Sequence, residues 1–129
     1  MKLNVVFTLA AVLLFVLGLG SLLAPSAMLP IIGLSASAAS FFLMGEVGVL
    51  SIGLGLVAWL VRNSDASKAR NGVVLGFTIF NALFALFSLY TQLFTDAASV
   101  VGWIFFIIQG LFAIGFFMAG KASMSETAK

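Results

Sequence analysis

Few side chains in this sequence can do chemistry. The acidic residues are Glu46, Asp65, Asp96 and Glu126, and the basic ones are Lys2, Arg62, Lys68, Arg70, Lys121 and Lys129. There is no histidine and no cysteine. Disulfides, Cys/His zinc sites, iron–sulfur clusters and imidazole-ligated haem are therefore excluded. Ser–His and Cys–His nucleophilic catalysis are excluded too, and proton transfer loses its commonest agent near neutral pH. The inventory implies no catalytic residue, no metal ligands and no cofactor, so an enzyme is not expected. The six cations are few and are not clustered with aromatic residues, so a nucleic-acid partner is not expected either.

Glu46 is set apart by its surroundings, a long run of apolar and small residues from Ser40 to Val61. A carboxylate inside a membrane span is costly and is a functional candidate by default. At about 1.5 Å per residue it lies about 9 Å below the nearer end of that run. No Lys or Arg belongs to that end, so an ion pair within the chain is not expected. Three roles remain open. Glu46 is a structural group, protonated or snorkelling, that bonds Ser88 or a free carbonyl near Gly18. It is a contact for a basic group on a partner protein or lipid head group. Or it is the proton-carrying carboxyl of a small transporter or carrier of a hydrophobic molecule. Four-helix multidrug transporters do carry an essential membrane glutamate, but in their first helix, where this chain has none.

The elements that must position these residues follow from composition. The 129 residues are 63% hydrophobic and 8% charged. A soluble domain carries about 25% charged residues. Spanning a bilayer takes about 20 apolar residues in a helix. Four stretches qualify, over about 3–23, 40–61, 72–93 and 98–119. Lys2 before the first could also open a signal peptide, but the apolar run exceeds the usual length of such a segment. The expected fold is all-α, a single domain over 1–121 built as a four-transmembrane-helix bundle, with a mobile polar tail over 122–129. All six basic residues fall on the side that holds both termini, and residues 24–39 and 94–97 carry none. The positive-inside rule makes that side cytoplasmic.

Residues 24–39 contain Pro25 and Pro30, which forbid one continuous helix. A short interfacial turn is expected there, with Leu29, Ile31 and Ile32 dipping into the lipid boundary. Ser37 or Ser40, Asn71 and Thr95 are the expected caps of the second, third and fourth spans.

Between membrane helices, close approach of small residues supplies the association energy. Gly45, Gly48, Ser51, Gly55 and Ala58 recur every three or four residues along the second span, and Gly18 with Ser21 offers a matching surface on the first. The third span has two stripes. Thr78, Asn81, Ala85, Ser88 and Gln92 are small or polar and should face the bundle, because amides in lipid lack partners. Phe77, Phe80, Phe84, Phe87 and Phe94 should face lipid, another subunit or a bound apolar molecule, as should Phe105, Phe112 and Phe116 of the fourth span. Ser51, Asn81 and Gln109 all lie about 16–18 Å from the same end, at about 1.5 Å per residue. This depth predicts a hydrogen-bonded polar layer.

Several motifs resemble the DoxX-like group of small four-helix membrane proteins. They are Gly18 and Gly20 followed by Leu22, Leu23, Ala24 and Pro25, then Gly33–Leu34, Gly48, Gly53–Leu54–Gly55, Trp59, Arg62 and Gly102–Trp103. The resemblance implies a compact four-helix bundle and proximity to quinone-linked respiratory chemistry. Relatives often carry an arginine near the start of the second span. Glu46 departs from that pattern, so no role of such an arginine transfers. The function expected is a non-catalytic accessory or scaffold subunit of a larger membrane assembly, or a homo-oligomer, in a bacterial inner membrane. The partners expected are the bilayer, another membrane protein or a second copy, and an apolar pigment, quinone or lipid against the Phe-rich faces.

Overall fold

A computed structural model describes residues 2–96 and 99–127, without the side chains of Met124, Glu126 and Thr127. Five helices follow one another: α1 (Leu3–Leu23), α2 (Pro25–Ile31), α3 (Ala38–Val61), α4 (Lys68–Phe94) and α5 (Val100–Thr127). All but α2 are long and apolar enough to cross a membrane, as expected of an integral membrane protein.

The breaks between helices have local causes. Pro25 drives Ala24 out of helical geometry, to φ −137° and ψ 51°, and then opens α2 as its first residue. α2 contains both prolines, because a single short segment can forgo the amide that Pro30 lacks. It stops at Gly33, whose φ of 77° admits the left-handed turn. There Gly33 N bonds the Pro30 carbonyl and Leu34 N bonds the Leu29 carbonyl, closing a Schellman motif. Leu29 turns into the bundle, at 1% exposure, instead of dipping into lipid, while Ile31 stays exposed.

Ser37 caps α3 in a reciprocal capping box with Ser40, at 3.1 and 2.8 Å. α4 starts one turn before the expected Asn71, because Ser67 accepts from Arg70 N at 3.2 Å. Residues 97 and 98, which a cap of the fourth span at Thr95 would reach, lie outside the described residues. The Thr95 hydroxyl bonds back to the Thr91 carbonyl at the end of α4, and Ser99 Oγ accepts from Gly102 N at 3.1 Å at the start of α5. Ala98, the expected start of that span, lies outside the described residues. α5 continues through the expected polar tail as far as Thr127; residues 128 and 129 lie outside the description.

The helices form two intimate pairs, α1 with α3 and α4 with α5, and the pairs are joined mainly where α1 meets α5. α1 is therefore central and α3 peripheral. The core lies at this junction, near the end that carries both termini. Phe7 is fully buried there between Phe116, with ring centres 4.9 Å apart, and Phe77, at 5.7 Å, both edge-on. Val6, Ala10, Ala11, Ala58 and Val74 surround them. α3 and α4, although joined in sequence, leave between them an open apolar groove of about 320 Å³ lined by Leu54, Val57, Val73 and Gly76.

Candidate functional site

The α1/α3 contact is made by glycines. A Cβ on Gly18 would stand 3.0 Å from the Gly48 carbonyl oxygen and 2.7 Å from Ile52 Cγ1. A Cβ on Gly55 would meet the Phe15 ring at 3.1 Å. Ser21 and Ala58 are buried in the same seam. Gly45 lies apart from it, with open space where its Cβ would be, because the α3 face that meets α1 runs through Met44, Gly48, Gly55 and Ala58. Ser51 is half-buried beside this face.

Glu46 is exposed on the outer face of α3, not inside the bundle. The glycine seam turns α3 so that Gly48 and Gly55 point inward, and Glu46, two residues from Gly48, is carried outward. Its neighbours there are Phe42, Leu43, Val49 and Leu50, all largely exposed. Among the described residues it makes no ion pair or hydrogen bond. Ser88, its expected partner, is buried on α4. Glu46 lines neither the α3/α4 groove nor the cavities where α1 meets α4 and α5.

The expected polar layer is reduced to two members. Asn81 and Gln109 are both buried and both line a small cavity between α1, α4 and α5, with Ala10, Leu13 and Phe112. Its volume of about 20 Å³ is the size of one water molecule. Asn81 Nδ2 bonds the Phe77 carbonyl of its own helix at 2.6 Å. Ser51 belongs to α3, and α1 stands between it and the pair.

The phenylalanines divide between two environments. Phe77 and Phe116 are core residues, at 5% and 0% exposure, and do not form an outer face. They turn inward because α1 presents Ala10 and Ala11, which leave room for rings. Phe80, Phe105 and Phe112 are half-buried, and Phe84, Phe87 and Phe94 are exposed. Phe84 bridges to Phe105 across α4 and α5, with ring centres 6.3 Å apart.

Three sets of residues acquire roles not anticipated from sequence. Gln92 leaves the polar stripe to close the α4/α5 hairpin, its Oε1 accepting from Ser99 N at 2.8 Å. Its amide fills the space where a Gly102 side chain would be. At the opposite, basic end, the Arg62 guanidinium lies 3.1 Å from the Trp59 ring centre, a cation–π contact. Arg70 Nη1 donates to Ser123 Oγ at 3.3 Å. The Ser-x-x-Gly spacing after α4 was the one local signal for the first of these. The arginine contacts depend on how distant helix ends meet.

Among the described residues no group of acidic side chains could hold a metal ion. No family model matches the chain, and no curated protein or solved structure shows similarity to it.

Proposed function

We propose that this is a non-catalytic integral membrane protein that docks its lipid-embedded surface on another membrane protein, as an accessory or scaffold subunit or as a second copy of itself. Its basic end lies in the cytoplasm, on the positive-inside asymmetry of its six cations, and its home is a bacterial inner membrane, on its compact topology and its resemblance to small four-helix membrane proteins. One observation carries the reading: Glu46 stands on the outside of α3, without a partner among the described residues, in a field of exposed apolar side chains. An unpaired carboxyl facing lipid is expensive, and a hydrogen-bond donor or cation on a neighbouring helix removes that cost. Phe84, Phe87 and Phe94 add an exposed aromatic face on α4. The alternative, a small proton-coupled transporter using Glu46, draws no support from a carboxyl on the outer face of α3, away from the α3/α4 groove and from the cavities where α1 meets α4 and α5.

Mass spectrometry of the protein taken gently into native-lipid nanodiscs tests the proposal. A protein partner or second copy in fixed ratio is expected, and Glu46→Leu should dissociate it. A lone monomer, unchanged by the substitution, overturns the reading.

A further inference from the structure

The basic end contains a cavity of about 480 Å³ where the starts of α1 and α4 meet the end of α5. Lys2 and Asn4 wall it from α1, Arg70 from α4, and Ala119, Ala122 and Ser123 from α5. Arg70 Nε is fully enclosed and finds no acceptor among the described residues, although its neighbour Nη1 reaches Ser123. Arg70 lines the cavity, and the guanidinium donors that Ser123 does not engage suit an oxyanion there, because a guanidinium fork matches two oxygens at once. Lys2 supplies a second cation. The first turns of α1 and α4 both border the cavity, and their amides lack helical acceptors, which adds partial positive charge. Asp65, the acidic residue of the neighbouring loop, does not line it.

A second cavity lies along the same α1/α5 seam. It holds about 250 Å³ and is almost wholly apolar, lined by Val6, Leu9, Ile108, Leu111 and Phe112. On α1, Lys2, Val6 and Leu9 share one face at spacings of four and three; on α5, Ile108, Phe112 and Ala119 do so at four and seven. From Ala119 to Phe112 the drop is about 10 Å at about 1.5 Å per residue. A cationic, hydrogen-bonding pocket at the end of the span thus stands above an apolar groove on the same α1/α5 seam.

We infer that the α1/α5 seam is a binding site for one anionic phospholipid, its phosphate held by Arg70 and Lys2 and an acyl chain lying in the groove of Val6, Leu9, Leu111 and Phe112. Charge complementarity selects the head group, and the groove selects a lipid over a free anion. The site requires that the chain span a bilayer, but not that it serve as an accessory subunit.

The test is native mass spectrometry of purified protein released from micelles doped with phosphatidylglycerol or with phosphatidylcholine. One phosphatidylglycerol per chain should survive release, and phosphatidylcholine should not. Each cation near a lipid surface contributes about 1 kcal/mol, so the double variant Lys2→Gln/Arg70→Gln should weaken retention on the order of 30-fold. Lys68→Gln removes one positive charge from an exposed position outside the cavity and should leave retention unchanged. Leu9→Trp/Leu111→Trp replaces two largely exposed residues, so folding is spared, and should displace the lipid with both cations intact. Equal losses in Lys68→Gln would reveal diffuse charge attraction and overturn the site. Retention unchanged by the tryptophans, full displacement by inorganic phosphate, or a protein helix occupying the seam in place of lipid would each do the same.

Discussion

A Cβ placed on Gly48 would fall 3.1 Å from the carbonyl oxygen of Gly18, and 2.6 Å from Leu22 Cγ. The two helices are as close here as their backbones allow. Gly48→Ala and Gly18→Ala should each cost about 1–3 kcal/mol, the usual penalty for overpacking a filled interface. Gly53→Ala is the control, since its Cβ would enter open space. That variant should be neutral or up to about 1 kcal/mol more stable, from helix propensity alone. Unfolding in mixed micelles measures all three, and equal effects would disprove the seam.

Gln92 and Gly102 act as one unit. Gly102→Ala should expel the Gln92 amide from its place and break its bond to Ser99 N, at a cost of about 1 kcal/mol. In a Gln92→Ala background the same change should cost nothing. A double-mutant cycle that finds the two effects additive refutes the coupling.

Phe7 holds the two helix pairs together. Truncating it to alanine empties roughly 100 Å³, worth about 2 kcal/mol at the cavity cost seen in protein cores. No large transfer term is added, because lipid is as apolar as the core. Phe87→Ala should leave stability unchanged, as that ring is 65% exposed. If Phe87→Ala proves the more damaging in a lone monomer, the core has been misplaced.

Gln109 is buried without a hydrogen bond among the described residues. Gln109→Leu should therefore raise stability by about 1 kcal/mol, by relieving a poorly satisfied amide. Asn81→Leu loses the bond to the Phe77 carbonyl and should show no such gain. A large loss on Gln109→Leu would mean that the amide is engaged, most simply by a bridging water in the 20 Å³ cavity.

The spans were legible in the sequence because a bilayer imposes a length and a composition, and few alternatives satisfy both. Which way each helix faces was much less so. In a soluble bundle Phe77 and Phe87 would be told apart by polar neighbours, but on a membrane helix both faces are apolar. The rings that entered the core did so opposite Ala10 and Ala11 of α1, far away in sequence. Glu46 was misplaced for a related reason: its depth was readable, but its azimuth depended on the Gly18–Gly48 crossing. Competing caps explain the shifted helix starts. Ser67 and Asn71 are both competent, and a good cap one turn earlier adds another turn of helix.

The central position of α1 sets an order in time. It leaves the ribosome before its two neighbours, α3 and α5, which come second and last among the described spans. The glycine seam can close as soon as α3 emerges. The other flank, with Val6, Phe7 and Ala10, meets Phe77 of α4 first and is closed only when Phe116 is made. Through the whole synthesis of α4, then, the nascent chain carries a finished hairpin with one unsealed side. That interval is when a lipid, a chaperone or a foreign helix would have its best access to the heart of the bundle.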